Sequence, residues 1–184
     1  MIVTVGGLPG TGTSTLCRLL ERELGLPYVY AGQIFRQEAA ARGLTLAELN
    51  ELAGSDSTVD RQLDERQLEL LKKGNVILEG RMSGWLAHTN GIDALTVWVT
   101  CDAEERIRRL VDRDGGDPEE QRRATDKRVE QEQDRYRRFY GAEVDDQTIY
   151  DLVLDSTSTP PAELVRRVLE ELGRESSVPE SGPV

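Results

Sequence analysis

The stretch IVTVGGLPGTGTSTLCRLL, residues 2–20, decides how this chain folds. It begins with a short β-branched run, turns through glycines, and continues with apolar residues at helical spacing. A strand, a glycine-rich turn and a helix in this order are typical of a phosphate-binding loop, where backbone N–H groups and a helix N-terminus face one anion. The sequence therefore predicts a site for nucleotide phosphates, formed by Gly7, Leu8, Pro9, Gly10, Thr11, Gly12, Thr13, Ser14 and Thr15.

One position departs from the usual phosphate-loop motif. The motif carries a lysine immediately before its hydroxyl residue, but this chain has Thr13 there and no lysine before Lys72. Thr13 can donate a hydrogen bond but brings no charge, so the missing charge comes from Mg²⁺, from arginines, or not at all. Ser14 takes the position of the hydroxyl that binds Mg²⁺. A nucleotide-binding loop without catalysis and a glycine turn without a ligand both remain open.

Apolar and polar segments alternate along the rest of the chain as in a βαβ protein. We predict α/β architecture: a doubly wound, parallel five-stranded sheet flanked by helices, with right-handed crossovers. Residues 1–173 are expected to form a single domain, and residues 174–184, rich in Ser, Pro and Glu, a disordered tail. The predicted strands are residues 2–5, 28–30, 76–78, 95–99 and 149–154, and the predicted helices are residues 14–24, 34–42, 46–53, 59–73, 103–112, a charged helix ending near 140, and 161–172.

The composition narrows the classes of function. The net charge of −11 argues against a non-specific nucleic-acid binder, because phosphate backbones need a basic face. Lys72, Lys73 and Lys127 are the only lysines, and arginine supplies every other basic side chain. Many carboxylates with few lysines are typical of a halophilic protein, because salt screens their mutual repulsion. An ordinary acidic cytosolic protein is the alternative.

The same sequence indicates neither export nor membrane insertion. Residues 1–5 lead directly into the glycine turn without the basic leader of a signal peptide, and no apolar run is long enough to span a bilayer. Cys17 and Cys101 are isolated thiols without the spacing of a metal site. We expect a cytoplasmic protein, a monomer, with neither nucleic acid nor membrane as a partner.

Five segments resemble those of the archaeal-type cytidylate kinases, which have the nucleoside monophosphate kinase fold. They are residues 7–15, AGQIFR at 31–36, LEGRMSGW at 78–85, RYRRFYG at 135–141 and IYDLV at 149–153, in the family order. The segment around Arg81 and Trp85 is the most specific of the five. Threonine in place of the loop lysine also occurs in that family, whereas Gln33 stands where an acidic residue is expected.

The resemblance implies a function and a division of roles. It implies transfer of the γ-phosphoryl group of ATP to CMP, with dCMP as a second acceptor and Mg²⁺ bound at Ser14. It also implies an acceptor-binding segment at about residues 31–73 and an arginine-rich lid at about residues 106–135. The catalytic residues would be Arg81, Arg128 and Arg135, and the acceptor-binding residues Gly32, Arg36, Arg81 and Glu132.

The positions of the basic residues agree with these roles. Arg81 lies just past the end of a predicted parallel strand, where ligands bind in open α/β sheets. Arg128, Glu132 and Arg135 are spaced i, i+4 and i+7, so they share one helix face that can grip phosphates. The alternatives are surface arginines and a solvated helix with local ion pairs. Further basic residues surround the glycines at 115 and 116: Arg106, Arg109, Arg113, Arg122, Arg123 and Lys127.

Two rival functions and a few residues stay undecided. Another kinase of the same fold is the nearest rival, although the Asp-Gly-Phe-Pro-Arg run of adenylate kinases is absent. The second rival is a regulatory nucleotide-binding protein, although the Asn-Lys-x-Asp run of GTPases is absent too. His88, expected in a polar loop, is given no role. One helix can either line the acceptor pocket or face solvent with Asp60, Asp64 and Arg66.

Overall fold

A computed structural model of the protein describes residues 1–55 and 57–173; the tail predicted at 174–184 lies outside the described residues. Five strands form one sheet in the order β2-β3-β1-β4-β5, and every adjacent pair is parallel. This confirms the predicted doubly wound sheet, with β1 at its centre. The strands are β1 Ile2–Gly7, β2 Tyr28–Tyr30, β3 Val76–Glu79, β4 Leu95–Thr100 and β5 Leu152–Asp155.

Helices cover both faces of the sheet. They are α1 Thr13–Leu24, α2 Ala31–Ala41, α3 Leu46–Ser55, α4 Ser57–Lys73, α5 Ser83–Thr89, α6 Ala103–Asp114, α7 Pro118–Tyr140 and α8 Pro161–Glu171. On one face, α1 and α8 pack on the strands around Leu16, Leu20 and Val165. On the other face, α4 packs over β3 with Leu71, and α5 packs over β1 and β4 with Leu86. A smaller apolar cluster joins α2, α3 and α4, so the segment predicted to bind the acceptor has a core of its own.

Two predictions about local structure are wrong. The fifth strand begins at Leu152 and not at residue 149, because Gln147–Ile149 forms a 3₁₀ turn in which the Asp146 carboxylate accepts from the Thr148 N–H. His88 lies on the exposed side of α5 and not in a loop. Helix α5 has seven residues and no side-chain cap, so burial stabilises it instead of a local signal. Gly84 allows that burial: a Cβ there would stand 2.5 Å from the Tyr150 ring.

The length and polarity of the described helices can be compared with what a bilayer requires. None of them is both long enough and apolar enough to cross a bilayer.

Candidate functional site

A cavity of about 720 Å³ opens at the carboxyl ends of β1 and β3. The helix that follows β1 and the helix that follows β3 lie on opposite faces of the sheet, so the carboxyl ends of these two adjacent strands border the crevice where ligands bind in doubly wound folds. The phosphate loop forms one wall, α2 and α4 a second, and α7 a third. The volume lies in the range of small-molecule sites. The fold therefore places the candidate site where the sequence predicted it.

The phosphate loop is built by its own backbone and by α6 behind it. Gly10 and Gly12 have φ of 86° and 87°, which glycine adopts without strain. A Cβ on Gly10 would stand 2.6 Å from the Arg106 carbonyl oxygen, so only glycine fits there. The Thr11 hydroxyl donates to the Leu8 carbonyl over 2.9 Å. Six of the nine predicted residues line the cavity, namely Gly7, Leu8, Pro9, Gly10, Thr13 and Ser14, whereas Thr11, Gly12 and Thr15 do not.

Sequence reasoning missed Glu79, which ends β3 and retains only 5% exposure. Its carboxylate accepts hydrogen bonds from the Thr13 hydroxyl at 2.6 Å, the Ser14 hydroxyl at 2.8 Å and the Tyr28 hydroxyl. Burial, and then the bond to Glu79, raise the pKa of the Tyr28 phenol, which keeps it a proton donor. The sequence could have indicated Glu79, because it is an acidic residue at the end of an otherwise apolar strand. A buried carboxylate there needs hydrogen-bond partners.

The oxygen ligands around Glu79 suit a divalent cation that is shared with substrate phosphates, and not a metal held by protein side chains alone. The described residues contain no group of three or more His, Cys, Asp or Glu side chains arranged to hold a metal. Ser14 Oγ and the Glu79 carboxylate nevertheless lie together at the loop, 2.8 Å apart. Mg²⁺ prefers oxygen ligands and is commonly held by one or two protein groups plus substrate phosphates. The pair has the chemistry that such an ion requires.

Arg81 connects the phosphate loop to α7. Its Nη1 donates to the Gly7 carbonyl over 2.5 Å, and its Nε donates to Glu132. Arg128 Nε donates to the other oxygen of Glu132 over 2.8 Å. Burial opposes ionisation of Glu132, but the two guanidiniums outweigh it and hold the pKa of that carboxyl below its usual value. One ionised carboxylate thus positions two cations at the cavity.

The predicted lid residues fall into two groups. Arg128, Glu132 and Arg135 line the cavity together, as their spacing indicated. Arg135 also lies over Tyr136, 5.5 Å from the ring centroid. By contrast, Arg106 is buried with its Nη1 3.4 Å from the Pro9 carbonyl oxygen, and Arg109 donates to the Ser156 carbonyl over 2.6 Å. These last two arginines support the loop from α6.

The acceptor-binding residues expected on α2 lie at the same cavity. Gly32 and Arg36 both line it. A Cβ on Gly32 would stand 2.4 Å from the Tyr30 ring, and Arg36 Cζ lies 5.7 Å from the centroid of that ring. Glycine at 32 therefore lets the aromatic ring lie flat against the start of α2, with a guanidinium at its face.

Helix α4 divides between cavity and solvent. Asp64 is buried and lines the cavity, together with Gln67, which sequence reasoning did not single out. Arg66 is half exposed and pairs with Glu38 over 3.1 Å, so for this residue the solvent-facing alternative holds. The side chain of Asp60 lies outside the described residues.

The charge of the cavity differs from that of the chain. Its lining includes Arg18, Arg36, Arg81, Arg113, Arg128 and Arg135 against Asp64, Glu79, Asp114 and Glu132, six cations against four carboxylates. The whole sequence has a net charge of −11. The site is thus a locally basic region of an acidic protein, and such a region attracts phosphates.

Solved structures with this fold include two kinases. Shikimate kinase from Bacteroides thetaiotaomicron superimposes with a TM-score of 0.64 at 16% identity, covering 94% of this chain and 98% of that one. A gluconokinase from Sinorhizobium meliloti gives a TM-score of 0.59 at 15% identity, covering 93% and 90% of the two chains. Identities this low establish the fold alone, which is that of the P-loop kinases.

Sequence comparison gives the family. A family profile described as "AAA domain" matches residues 3–138. The cytidylate kinase of Methanopyrus kandleri is 41% identical over 164 residues, covering 85% of each chain. That of Archaeoglobus fulgidus is 38% identical over 171 residues, covering 92% of this chain and 93% of the other. Because the similarity spans the loop, the acceptor segment and α7 alike, the chain belongs to the family of the archaeal cytidylate kinases.

Proposed function

We propose that this protein transfers the γ-phosphoryl group of ATP to CMP, giving ADP and CDP, with dCMP as a second acceptor. The observation that carries the proposal is the bridge from Gly7 through Arg81 and Glu132 to Arg128. It places two guanidiniums opposite the loop that cradles phosphates, in a cavity whose acceptor side is lined by α2 and α4. Relatives that cover most of the chain are cytidylate kinases.

The reaction itself explains why arginines matter here. Phosphoryl transfer passes through a loose transition state with charge on the equatorial oxygens, so positioning and positive charge contribute more than a strong base. Thr13 supplies no charge, and its hydroxyl is engaged by Glu79. Arg81 and Arg128 are close enough to share one carboxylate and form charge-assisted bonds readily. In this proposal, Arg81 and Arg128 exchange Glu132 for phosphate oxygens when both nucleotides are bound, and Arg135 binds phosphate from the same wall of the cavity.

Ser14 and Glu79 would hold Mg²⁺. When bound, the ion neutralises charge on the donor phosphates. The Ser14 hydroxyl contributes a neutral oxygen and Glu79 a negative one, while Tyr28 donates to the carboxylate and fixes its orientation.

The two mobile parts expected of such a kinase are assigned to definite elements. Residues 31–73, with their own apolar cluster, form the proposed acceptor-binding segment. The proposed lid is the part of residues 106–135 that follows Arg109, because Arg106 and Arg109 are tied to the loop and to Ser156. Closure of α7 over both nucleotides would exclude water and suppress ATP hydrolysis. The monomeric state and the cytoplasmic location expected from the sequence are part of the same proposal.

A screen of acceptors tests the proposal. ADP release from ATP and Mg²⁺ is measured with each nucleoside monophosphate, with dCMP, with shikimate and with gluconate. CMP is expected to give the highest kcat/KM, and ATP alone almost no ADP. Far better turnover of AMP or of shikimate would identify another kinase of this fold. ATP binding without ADP release for any acceptor would identify the non-catalytic rival.

A further inference from the structure

The cavity wall on α4 carries a buried polar pair that phosphoryl transfer does not use. Asp64 and Gln67 are one helical turn apart and retain 8% and 6% exposure. Gln67 Nε2 donates to Asp64 Oδ1 over 3.1 Å. Gln67 Oε1 is buried and makes no hydrogen bond to the part of the chain that the structure describes. A buried acceptor without a donor is costly unless a ligand or water satisfies it, so this oxygen calls for a hydrogen-bond donor.

The surroundings of the pair suit a flat heterocycle. Leu63 and Phe35, which belong to the apolar cluster between α2 and α4, line the same cavity. Gly80 lies next to the Gln67 amide: a Cβ at this position would stand 3.2 Å from Gln67 Oε1. Apolar walls with one or two placed polar groups are the usual construction of a small-molecule pocket. The phosphate-binding arginines line the same cavity, so a mononucleotide can place its phosphate on them and its base here.

Asp64 decides which end of the Gln67 amide meets that base. Asp64 Oδ1 accepts from the amide NH₂ over 3.1 Å, which leaves the amide oxygen for the ligand. Cytosine presents an exocyclic amine to such an oxygen, whereas uracil presents a carbonyl at the same ring position. We propose that Asp64 and Gln67 select acceptor nucleotides whose base carries an exocyclic amine, and so favour CMP over UMP. Adenine carries an amine too, so in this proposal the apolar walls discriminate against the larger purine ring.

This inference rests on the proposed function and assigns base selection within it. Deleting the amine from the ligand tests it first. Calorimetric binding of CMP is compared with that of pyrimidin-2-one ribonucleoside monophosphate, which is CMP without its amine. The wild type should prefer CMP by about 10- to 100-fold, the scale of a buried hydrogen bond. Equal binding of the two ligands overturns the proposal, and this arm needs no variant that might fail to fold.

Gln67→Met removes the acceptor from the protein while keeping the side-chain length. The variant should lose its preference for CMP over the pyrimidin-2-one nucleotide, through weaker CMP binding alone. Gln37→Met, at an exposed position of α2, is the matched control and should keep the preference. If Gln67→Met weakens both ligands in parallel, Gln67 supports the pocket without reading the amine, and the proposal is wrong.

Asp64→Asn tests whether the carboxylate orients the amide. Asparagine can donate as well as accept, so the Gln67 amide is free to turn and offer its NH₂ to uracil. The ratio of kcat/KM for CMP to that for UMP should fall at least about tenfold, mainly because UMP improves. Glu65→Gln, an exposed neighbour on the same helix, removes the same charge and should leave the ratio unchanged.

The base-selecting role of Asp64 and Gln67 can be disproved separately from the kinase activity. An unchanged ratio in Asp64→Asn, with CMP turnover intact, removes the base-selecting role and leaves the kinase proposal standing. A wild type that turns over no CMP defeats the kinase proposal, while calorimetry still decides whether the pocket prefers the amine. Thermal unfolding of each variant separates a lost contact from a lost fold.

Discussion

The phosphate loop and helix α7 face the same cavity but are held in place by different forces. The loop is fixed by backbone geometry: Gly10 fits against α6, and Thr11, which retains 1% exposure, bonds to the Leu8 carbonyl. Helix α7 is described throughout, and of its 23 residues only Thr125 is buried. Side chains attach it to the rest of the molecule, through Arg81 to Glu132 and through Arg138, which donates to the Gly54 carbonyl over 2.6 Å.

The difference indicates which half of the site moves. Opening the loop would break packed backbone contacts, whereas opening the part of α7 before Tyr136, which packs on the core, exchanges ion pairs of Glu132 for phosphate. The ATP side of the proposed kinase, with Arg81 bonded to Gly7, is therefore ready before substrates arrive, whereas Arg128 and Arg135 arrive with α7.

Arg81→Ala removes the residue that joins the two regions. We expect kcat/KM for CMP to fall at least about 100-fold, the scale of losing a charge-assisted phosphate contact of roughly 3 kcal/mol. Steady-state kinetics with CD spectra measure it. Arg108→Ala is the control, because that arginine is 60% exposed and pairs only with Glu105 and Asp112 among the described contacts. Near-normal turnover by a folded Arg81→Ala protein would remove the residue from the site.

Arg128→Ala and Arg135→Ala test whether α7 supplies the charge that Thr13 lacks. Each should lower kcat about tenfold or more and leave the affinity for ATP nearly unchanged, because their phosphate contacts form mainly in the transition state. Single-turnover rates and ATP binding by calorimetry separate the two effects. The matched control is Arg123→Ala, an exposed residue on the same helix.

Thr13→Lys is the reciprocal test of the same idea. The new ammonium would stand against the buried Glu79 carboxylate, which now accepts from the Thr13 hydroxyl at 2.6 Å. We expect kcat to change only modestly, because a lysine paired with Glu79 is not free to bind phosphate. An increase of several orders of magnitude, or intact kcat in both arginine variants, would instead favour a degenerate phosphate loop.

The contrast also explains what the sequence could and could not predict. The sheet, the loop and the shared face of Arg128, Glu132 and Arg135 follow from local periodicity and spacing, which one segment carries by itself. Glu79 and Gln67 were missed because their roles depend on partners brought together by the fold. Thr13 lies 66 residues from Glu79 along the chain, and nothing near Gln67 marks it as a cavity residue.

Glu132→Gln tests the ion pairs themselves through their pH dependence. The pKa of Glu132 is below its ordinary value of 4.5, because Arg81 and Arg128 outweigh the effect of burial. An acid with a depressed pKa stabilises the fold above that ordinary value and loses this contribution as pH falls through the folded-state pKa. Near pH 7, Glu132→Gln should lower the free energy of unfolding by about 1–3 kcal/mol.

Urea unfolding between about pH 7 and pH 3 measures the difference between the two proteins. The difference should shrink on acidification below the ordinary carboxyl pKa. Glu130→Gln, at an exposed position of α7, should lower stability little at any pH. A difference that is constant with pH would mean that Glu132 stabilises the helix by packing and not by its charge.

Molar KCl should have two opposing effects on the stability of this protein. Salt shortens the range of electrostatic forces to about 3 Å at 1 M, so it relieves the repulsion within a chain of net charge −11. It also weakens the exposed pairs of α7, such as Arg137 with Asp134, whose side chains are 48% and 68% exposed. Each exposed pair contributes only about 0–1 kcal/mol, so relief of repulsion should win and both overall stability and activity should rise. Thermal unfolding and kcat in KCl, with sucrose as a non-ionic control, measure the net effect.

Hydrogen exchange distinguishes the central strands from α7. Amides of the central strands should gain more protection in KCl than those of α7, since of these two regions only the helix loses ion pairs as the repulsion fades. Full stability in dilute buffer, with no gain from KCl, would contradict the adaptation to high salt and leave the kinase proposal untouched.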